Sequence, residues 1–458
     1  MSESNITGAL KRIDRRDLFY HSLYHYVGFV FYQYYSRVEI NGVENIPRKQ
    51  PVIFAPNHQN ALMDALIVLF SAPQDVVFLA RADIFRKPWL ARRLNSLKIL
   101  PVFRMRDGAA ELAKNQEIFD ITVGVLHRNH YLCLMPEGNH GHQRKLRPLV
   151  KGMFRIAFKA QEPKGSEPYI KIVPTGLDFQ HYVKQNQSLF INYGKPIEVS
   201  EYWDQYVENP ARAINALKAR LAEEMKPLMI HIDTDEYYDA YMGLRTIFNK
   251  RMREIMKIDG AKLKDKFVAD KEMIRRLDKK LDTNEEAMTQ ISEKINIYNK
   301  GVDTLKVRDW VVRDKGYGFM RTLWRYLTLL ITFPVFLYGL INNLIVYFLP
   351  VRLVRGIKDM QFHSSVKAGL SMLVVFPLFY ALQTLLVGIF TGPWWIWVAY
   401  LISLYPSGKA ALYWYFRWKK TNKGFGFRLK LNRGNKLANK LVTLRQEIIF
   451  DTEKLIAE

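Results

Sequence analysis

Three late stretches of the chain, residues 326–349, 368–390 and 393–405, carry no charged side chain. A bilayer interior offers no water to backbone N–H and C=O groups, so runs of this kind pair internally as helices. Spanning takes about 20 apolar residues. The first two runs reach that length. The third is shorter, but Trp394, Trp395 and Trp397 read as interfacial anchors. The expectation is a membrane region over 321–407 with C-terminal transmembrane or re-entrant helices. Basic residues flank every run, at 306–325, 352–367 and 409–440. Basic loops favour the cytoplasmic side, so the membrane is expected to be entered and left in pairs. Gly392-Pro393 would turn the second and third runs into a hairpin, and Asn342-Asn343 would let the first re-enter. A single crossing of the first run is the alternative. The first seventeen residues lack the apolar core of a signal peptide, so the bulk of the protein is expected in the cytoplasm.

The charge balance narrows the partners. Lys and Arg number 68 against 44 Asp and Glu, a net charge of +24, which favours nucleic acid, anionic lipid or phosphorylated substrates. No nucleic-acid module is recognisable and the apolar runs argue for lipid, so no nucleic-acid partner is expected. The single cysteine, Cys133, excludes an internal disulfide and a cysteine-based metal cluster; its apolar neighbours predict a buried strand thiol.

Short β-type runs at 52–55, 76–80, 131–135, 170–174 and 189–193 alternate with helical patterns at 109–126, 152–161 and 210–229. That alternation predicts an α/β layered domain over 46–235. Residues 1–45 form a basic and aromatic segment, read either as an amphipathic helix in the membrane interface or as an ordinary first helix. Residues 236–320 are dense in charge, with apolar residues at helical intervals (Ile274, Leu277, Leu281, Met288, Ile291, Ile295, Tyr298), and read as a helical hairpin or short coiled coil. Residues 408–458 form a basic amphipathic tail, expected in the cytoplasm.

Four motifs carry chemistry. In Asn57-His58-Gln59-Asn60-Ala61-Leu62-Met63-Asp64, a histidine and a carboxylate follow an apolar strand. A carboxylate partner fixes an imidazole's tautomer and stabilises its protonated form, which suits proton removal from a hydroxyl. Six residues of continuous helix turn through about 240°. Contact between His58 and Asp64 therefore requires a chain turn, with Asp64 near the start of a helix. Alone, the pair is also the composition of an ordinary surface βα loop. In Pro101-Val102-Phe103-Arg104-Met105-Arg106, alternate strand positions put Arg104 and Arg106 on one face, and guanidinium forks suit phosphate. Pro136-Glu137-Gly138-Asn139-His140-Gly141-His142 makes a tight loop with an acid and two imidazoles. A metal there would need a third ligand that the loop does not offer and no HExxH helix is present, so no metal is expected. A polar substrate loop fits better, with Lys145, Arg147 and Lys151 adding positive charge. Val173-Pro174-Thr175-Gly176-Leu177-Asp178-Phe179 reads as a buried strand broken by proline.

In their order and spacing these motifs, with Tyr193-Gly194-Lys195-Pro196-Ile197 after them, resemble the glycerophospholipid acyltransferases over about residues 45–200. The resemblance implies a layered acyltransferase domain, a mixed sheet flanked by helices. It implies His58 as general base on a glycerol hydroxyl and Asp64 as its orienting partner. Arg104 and Glu137 match positions that hold the acceptor's phosphate end and shape its pocket; Asn57, Arg106, Gly138, His140 and Lys151 complete the expected substrate-binding set. No cofactor is expected; the co-substrate is an acyl-CoA or acyl-carrier-protein thioester, the acceptor a glycerol phosphate or lysolipid, and the surface an anionic membrane.

The pattern departs from the family twice. Five residues separate His58 from Asp64 where the common form has four, and the longer spacing is similar to the glycerol-3-phosphate and dihydroxyacetone-phosphate acyltransferases. His140 stands where the family has arginine, leaving lysophosphatidate, an aminolipid or another lysolipid as alternative acceptors. A non-catalytic membrane scaffold with the same fold, docking a partner through its helical insert, is the reading of a different class.

Overall fold

The computed structural model describes residues 13, 18–102, 115–258, 260, 262–281, 283–357, 360 and 362–457. The chain divides into two compact units: residues 1–231 with 359–365, and residues 232–358 with 366–458.

The first unit is built on an eight-stranded mixed sheet. Its strands are β1 (Arg37–Asn41), β2 (Val52–Pro56), β3 (Val76–Arg81), β4 (Ile99–Val102), β5 (Tyr131–Cys133), β6 (Lys171–Phe179), β7 (Ser188–Tyr193) and β8 (Ile197–Glu198). They lie in the order β1-β7-β6-β2-β5-β3-β4, with β8 also on β6. Neighbours from β6 through β2, β5 and β3 to β4 run parallel, while β6 meets β7 and β8 antiparallel. β2 is buried along its whole length, as expected of a central parallel strand covered on both faces. One covering layer includes Gly152–Gln161 and Pro210–Met225, which send Phe154, Phe158, Leu217 and Leu221 into the core beside Ile53 and Leu132. Cys133 is buried in β5, and burial pushes its thiol pKa up.

β6 continues five residues past the proline at which the sequence suggests a break. Pro174 has no N–H to offer a ladder, a loss that normally confines proline to strand edges. Its open side faces the gap where β8 gives way to β7, and there the chain asks only for its carbonyl, which accepts from Gly194 N–H at 2.9 Å. The strand therefore passes through intact, carrying Thr175 to Phe179 to the end of the sheet where β2 also terminates.

The second unit is helical. The charged stretch forms Leu263–Leu281 and Glu285–Thr304, whose apolar sides are buried at Ile274, Leu277, Met288, Ile291, Ile295 and Tyr298. Lys436–Ala457 packs on both helices. Arg445 binds Asp309 at 2.8 Å and the Ile247 carbonyl at 3.0 Å, and Tyr298 donates to the same aspartate at 2.7 Å. Phe333–Val354 and Phe362–Thr391 are long and apolar enough to cross a membrane. The first is continuous through Asn342-Asn343. Asn343 donates to the Gly339 and Leu404 carbonyls and accepts from Tyr380, while Asn342 accepts from Tyr400. These amides thus join helices, the role polar side chains take between apolar helices. Gly339 lets the backbones meet, since a Cβ there would lie 2.1 Å from the Ser407 carbonyl oxygen. The third apolar run is the start of Trp394–Asn432, a 39-residue helix entered through Gly392 at φ 75°.

Candidate active site

His58 follows the carboxyl end of β2, the edge of a parallel sheet where ligand sites gather. Its Nδ1 lies 2.8 Å from Asp64 Oδ2, on the first turn of the helix Leu62–Ser71. The same oxygen accepts the backbone N–H groups of Gln59 and Asn60, each at 2.8 Å. An oxygen receiving two backbone donors is an acceptor for the third, so Nδ1 carries the proton and Nε2 is the nitrogen left to take one. Asp64 is fully buried, while the His58 side chain keeps 15% of its surface open.

Asn57 and three of the five residues between His58 and Asp64 fix the loop. Asn57 is locked by a reciprocal pair with Leu177, its Oδ1 accepting the backbone N–H at 2.7 Å and its Nδ2 donating to the carbonyl at 3.2 Å. Gln59 donates to the Gln143 carbonyl and accepts from Tyr182. Asn60 donates from Nδ2 to the Tyr182 carbonyl at 3.1 Å. Ala61 then reverses the chain at φ 44°, ψ −123°, a conformation costly for a residue with a Cβ and a form of strain found at functional turns.

Glu137 is buried and joins the third motif to the first. Its Oε1 accepts the His58 backbone N–H at 2.7 Å, and Oε2 accepts Arg147 N–H at 3.2 Å and Nε–H at 3.0 Å. Burial raises its pKa above 4.5, partly offset by these donors. Gly138 turns the loop at φ 68°, with Val150 3.1 Å from where a Cβ would sit. His140 stands edge-on to His58, ring centroids 5.5 Å apart.

His58, Asp64, Asn57, Glu137, Gly138 and His140 are thus brought together. Lys151 is exposed at the start of the helix Gly152–Gln161. It lines a cavity of about 390 Å³ with Phe119, Arg155, Lys159 and Tyr206, a lining that includes none of His58, Asp64 or Glu137. Arg104 and Arg106 lie outside the described residues. Arg144 is buried against Asp178 and the Phe179 carbonyl, its guanidinium over the Tyr182 ring. Sequence reasoning passed over Gln59, Asn60 and Tyr182, although the first two lie inside the leading motif.

An acyltransferase family model matches residues 37–178, the stretch from β1 to Asp178 on β6 that holds this whole cluster. Residues 37–178 form an acyltransferase-family domain. Curated relatives include the 1-acyl-sn-glycerol-3-phosphate acyltransferase of Cocos nucifera, 25% identical over 39% of this chain and 56% of that one. The glycerol-3-phosphate O-acyltransferase 1 of Saccharomyces cerevisiae is 25% identical over 50% of this chain and 30% of that one. The chain therefore spans only part of each relative's length. The crystal structure of the 1-acyl-sn-glycerophosphate (LPA) acyltransferase of Thermotoga maritima covers 46% of this chain and 86% of its own, with 20% identity and a TM-score of 0.30.

Within the acyltransferase domain, Glu137→Gln tests the link between motifs. Glutamine has one acceptor oxygen, so its NH₂ must face either the His58 N–H or the Arg147 donors. A buried mismatch of this kind costs about 1–3 kcal/mol. The pH dependence changes as well. The folded carboxyl binds its proton more tightly than the unfolded one, so its contribution to stability falls as pH rises from below 4.5 through the raised folded pKa. Urea melts from pH 4 upward should show the glutamine variant less stable at neutral pH and without that limb.

Proposed function

We propose that the protein is a membrane-bound O-acyltransferase of phospholipid biosynthesis. It moves a fatty acyl group from an acyl-CoA or acyl-carrier-protein thioester to a hydroxyl of a glycerol phosphate. The reading is supported above all by the His58–Asp64 contact of 2.8 Å at the carboxyl end of a central parallel strand, within a domain of this family. His58 Nε2 takes the hydroxyl proton as the alcohol oxygen attacks the thioester carbonyl. Asp64 stabilises the imidazolium, and backbone N–H groups of a turn stabilise the oxyanion. Collapse of the tetrahedral intermediate breaks the carbon–sulfur bond, and the imidazolium returns its proton to the departing thiolate. The acceptor is itself the nucleophile, so no covalent acyl-enzyme is needed.

The +24 charge and the two long apolar helices support a site working at an anionic membrane from the cytoplasmic side. A lysophosphatidate or another lysolipid is the second reading of the acceptor, favoured by His140 at the family's arginine position and by relatives of both kinds. The test incubates purified protein with radiolabelled palmitoyl-CoA or palmitoyl-carrier protein and, separately, glycerol 3-phosphate, dihydroxyacetone phosphate or lysophosphatidate. Labelled product from the first two acceptors is expected. Product from lysophosphatidate alone selects the second reading, and no product with any pair overturns acyl transfer and favours the scaffold.

A further inference from the structure

Residues 362–365 begin the second long apolar helix, yet they belong to the same compact unit as the sheet. Ser364 is fully buried, and its hydroxyl donates to Asn60 Oδ1 at 2.6 Å across 304 residues of sequence. Phe362 meets His140 edge-to-face at 5.2 Å, and His140 meets His58 in the same way. We propose that Ser364 and Phe362 are positioning residues of the catalytic site, Ser364 fixing the Asn60 turn and Phe362 backing His140 against His58. The function assigned to them rests on the acyl-transfer reading; the contacts do not.

Asn60 is the joint through which Ser364 acts. Its backbone N–H is one of the three donors on Asp64 Oδ2, and its side-chain amide is stretched between two partners, the Tyr182 carbonyl and the Ser364 hydroxyl. With Asn60 1% exposed, losing the hydroxyl strands Oδ1 where water cannot replace it. The strained Ala61 follows directly, so a loosened Asn60 lets the turn relax and carries the Asp64 donors with it. His58 is squeezed from the other side by the row His140–Phe362, whose edge-to-face geometry orients rings as well as filling space. A misplacement of the base by a fraction of an ångström lowers turnover without touching substrate affinity.

The experiment uses the full-length protein in detergent with the labelled thioester assay. Ser364→Ala is expected to lower kcat about 10-fold or more with KM for both substrates unchanged, and Ser364→Thr, which keeps the hydroxyl, to restore most of it. Combining Ser364→Ala with Asn60→Ala should give no further loss beyond Asn60→Ala alone, because both changes break one contact. Thr391→Ala, at the far end of the same helix and with its hydroxyl donating to the Val387 carbonyl, should leave turnover unchanged. Hydrogen exchange provides an arm independent of any reaction: the Gln59 and Asn60 amides should exchange faster in Ser364→Ala. Wild-type turnover and exchange in Ser364→Ala overturn the proposal, as do fully additive losses in the double variant. An inactive wild-type protein whose exchange still responds to Ser364→Ala overturns the acyl-transfer reading and leaves the contact standing.

Discussion

His58→Ala is expected to lower the turnover of acyl transfer by about 10²–10⁴-fold, the range a positioned general base supplies. The protein should remain folded, for reasons visible around the residue. The His58 backbone keeps both partners, its N–H donating to Glu137 and its carbonyl accepting Gly141 N–H at 3.1 Å. Among the described residues the imidazole has one hydrogen bond to lose, and Asp64 Oδ2 retains the two backbone donors of Gln59 and Asn60. Unfolding stability should therefore fall by only about 1 kcal/mol. Acceptor binding should change little, because the base acts on the reacting proton. Thioester consumption followed with a thiol reagent, alongside a thermal melt, separates the two effects. Undiminished transfer from a folded variant removes His58 from the mechanism.

The central strands and the leading motif are legible in the sequence for a common reason: each carries a local pattern, an apolar run in one case and a fixed His–Asp spacing in the other. Apolar runs bounded by Pro and Gly give the central strands, and the six-residue separation means that any contact between His58 and Asp64 requires a turn of the chain. Where longer-range partners decide, sequence says less. β1 (Arg37–Asn41) has alternating polar residues and lies on an edge, and only its pairing with β7 makes it a strand. Glu137 reads as an acid in a loop, but which way its oxygens turn depends on His58, 79 residues away. Arg147 reads as available positive charge, yet the buried Glu137 carboxylate engages it. Ser364 has no local signal at all, since a serine near the start of an apolar helix is indistinguishable from any other until Asn60 faces it.

Asp64→Asn isolates charge from geometry. Asp64 Oδ2 receives all three donors, while Oδ1 is buried without a hydrogen-bond partner among the described residues. Asparagine can therefore keep its oxygen in the Oδ2 position, preserving the His58, Gln59 and Asn60 bonds, and leave its NH₂ where Oδ1 was. The cost is one unpaired buried amide group, about 1–3 kcal/mol of stability. What disappears is the negative charge facing the imidazolium as the proton is transferred, in a site where burial leaves little water to screen it. Turnover should fall by about 10²–10⁴-fold with KM nearly unchanged. Asp64→Ala should behave differently, because it strands three donors at once and unties the turn, so its loss of activity should accompany loss of the folded state. If Asp64→Asn transfers acyl groups at the wild-type rate, the carboxylate serves only to shape the loop, and the proton accepted by His58 needs no charge behind it.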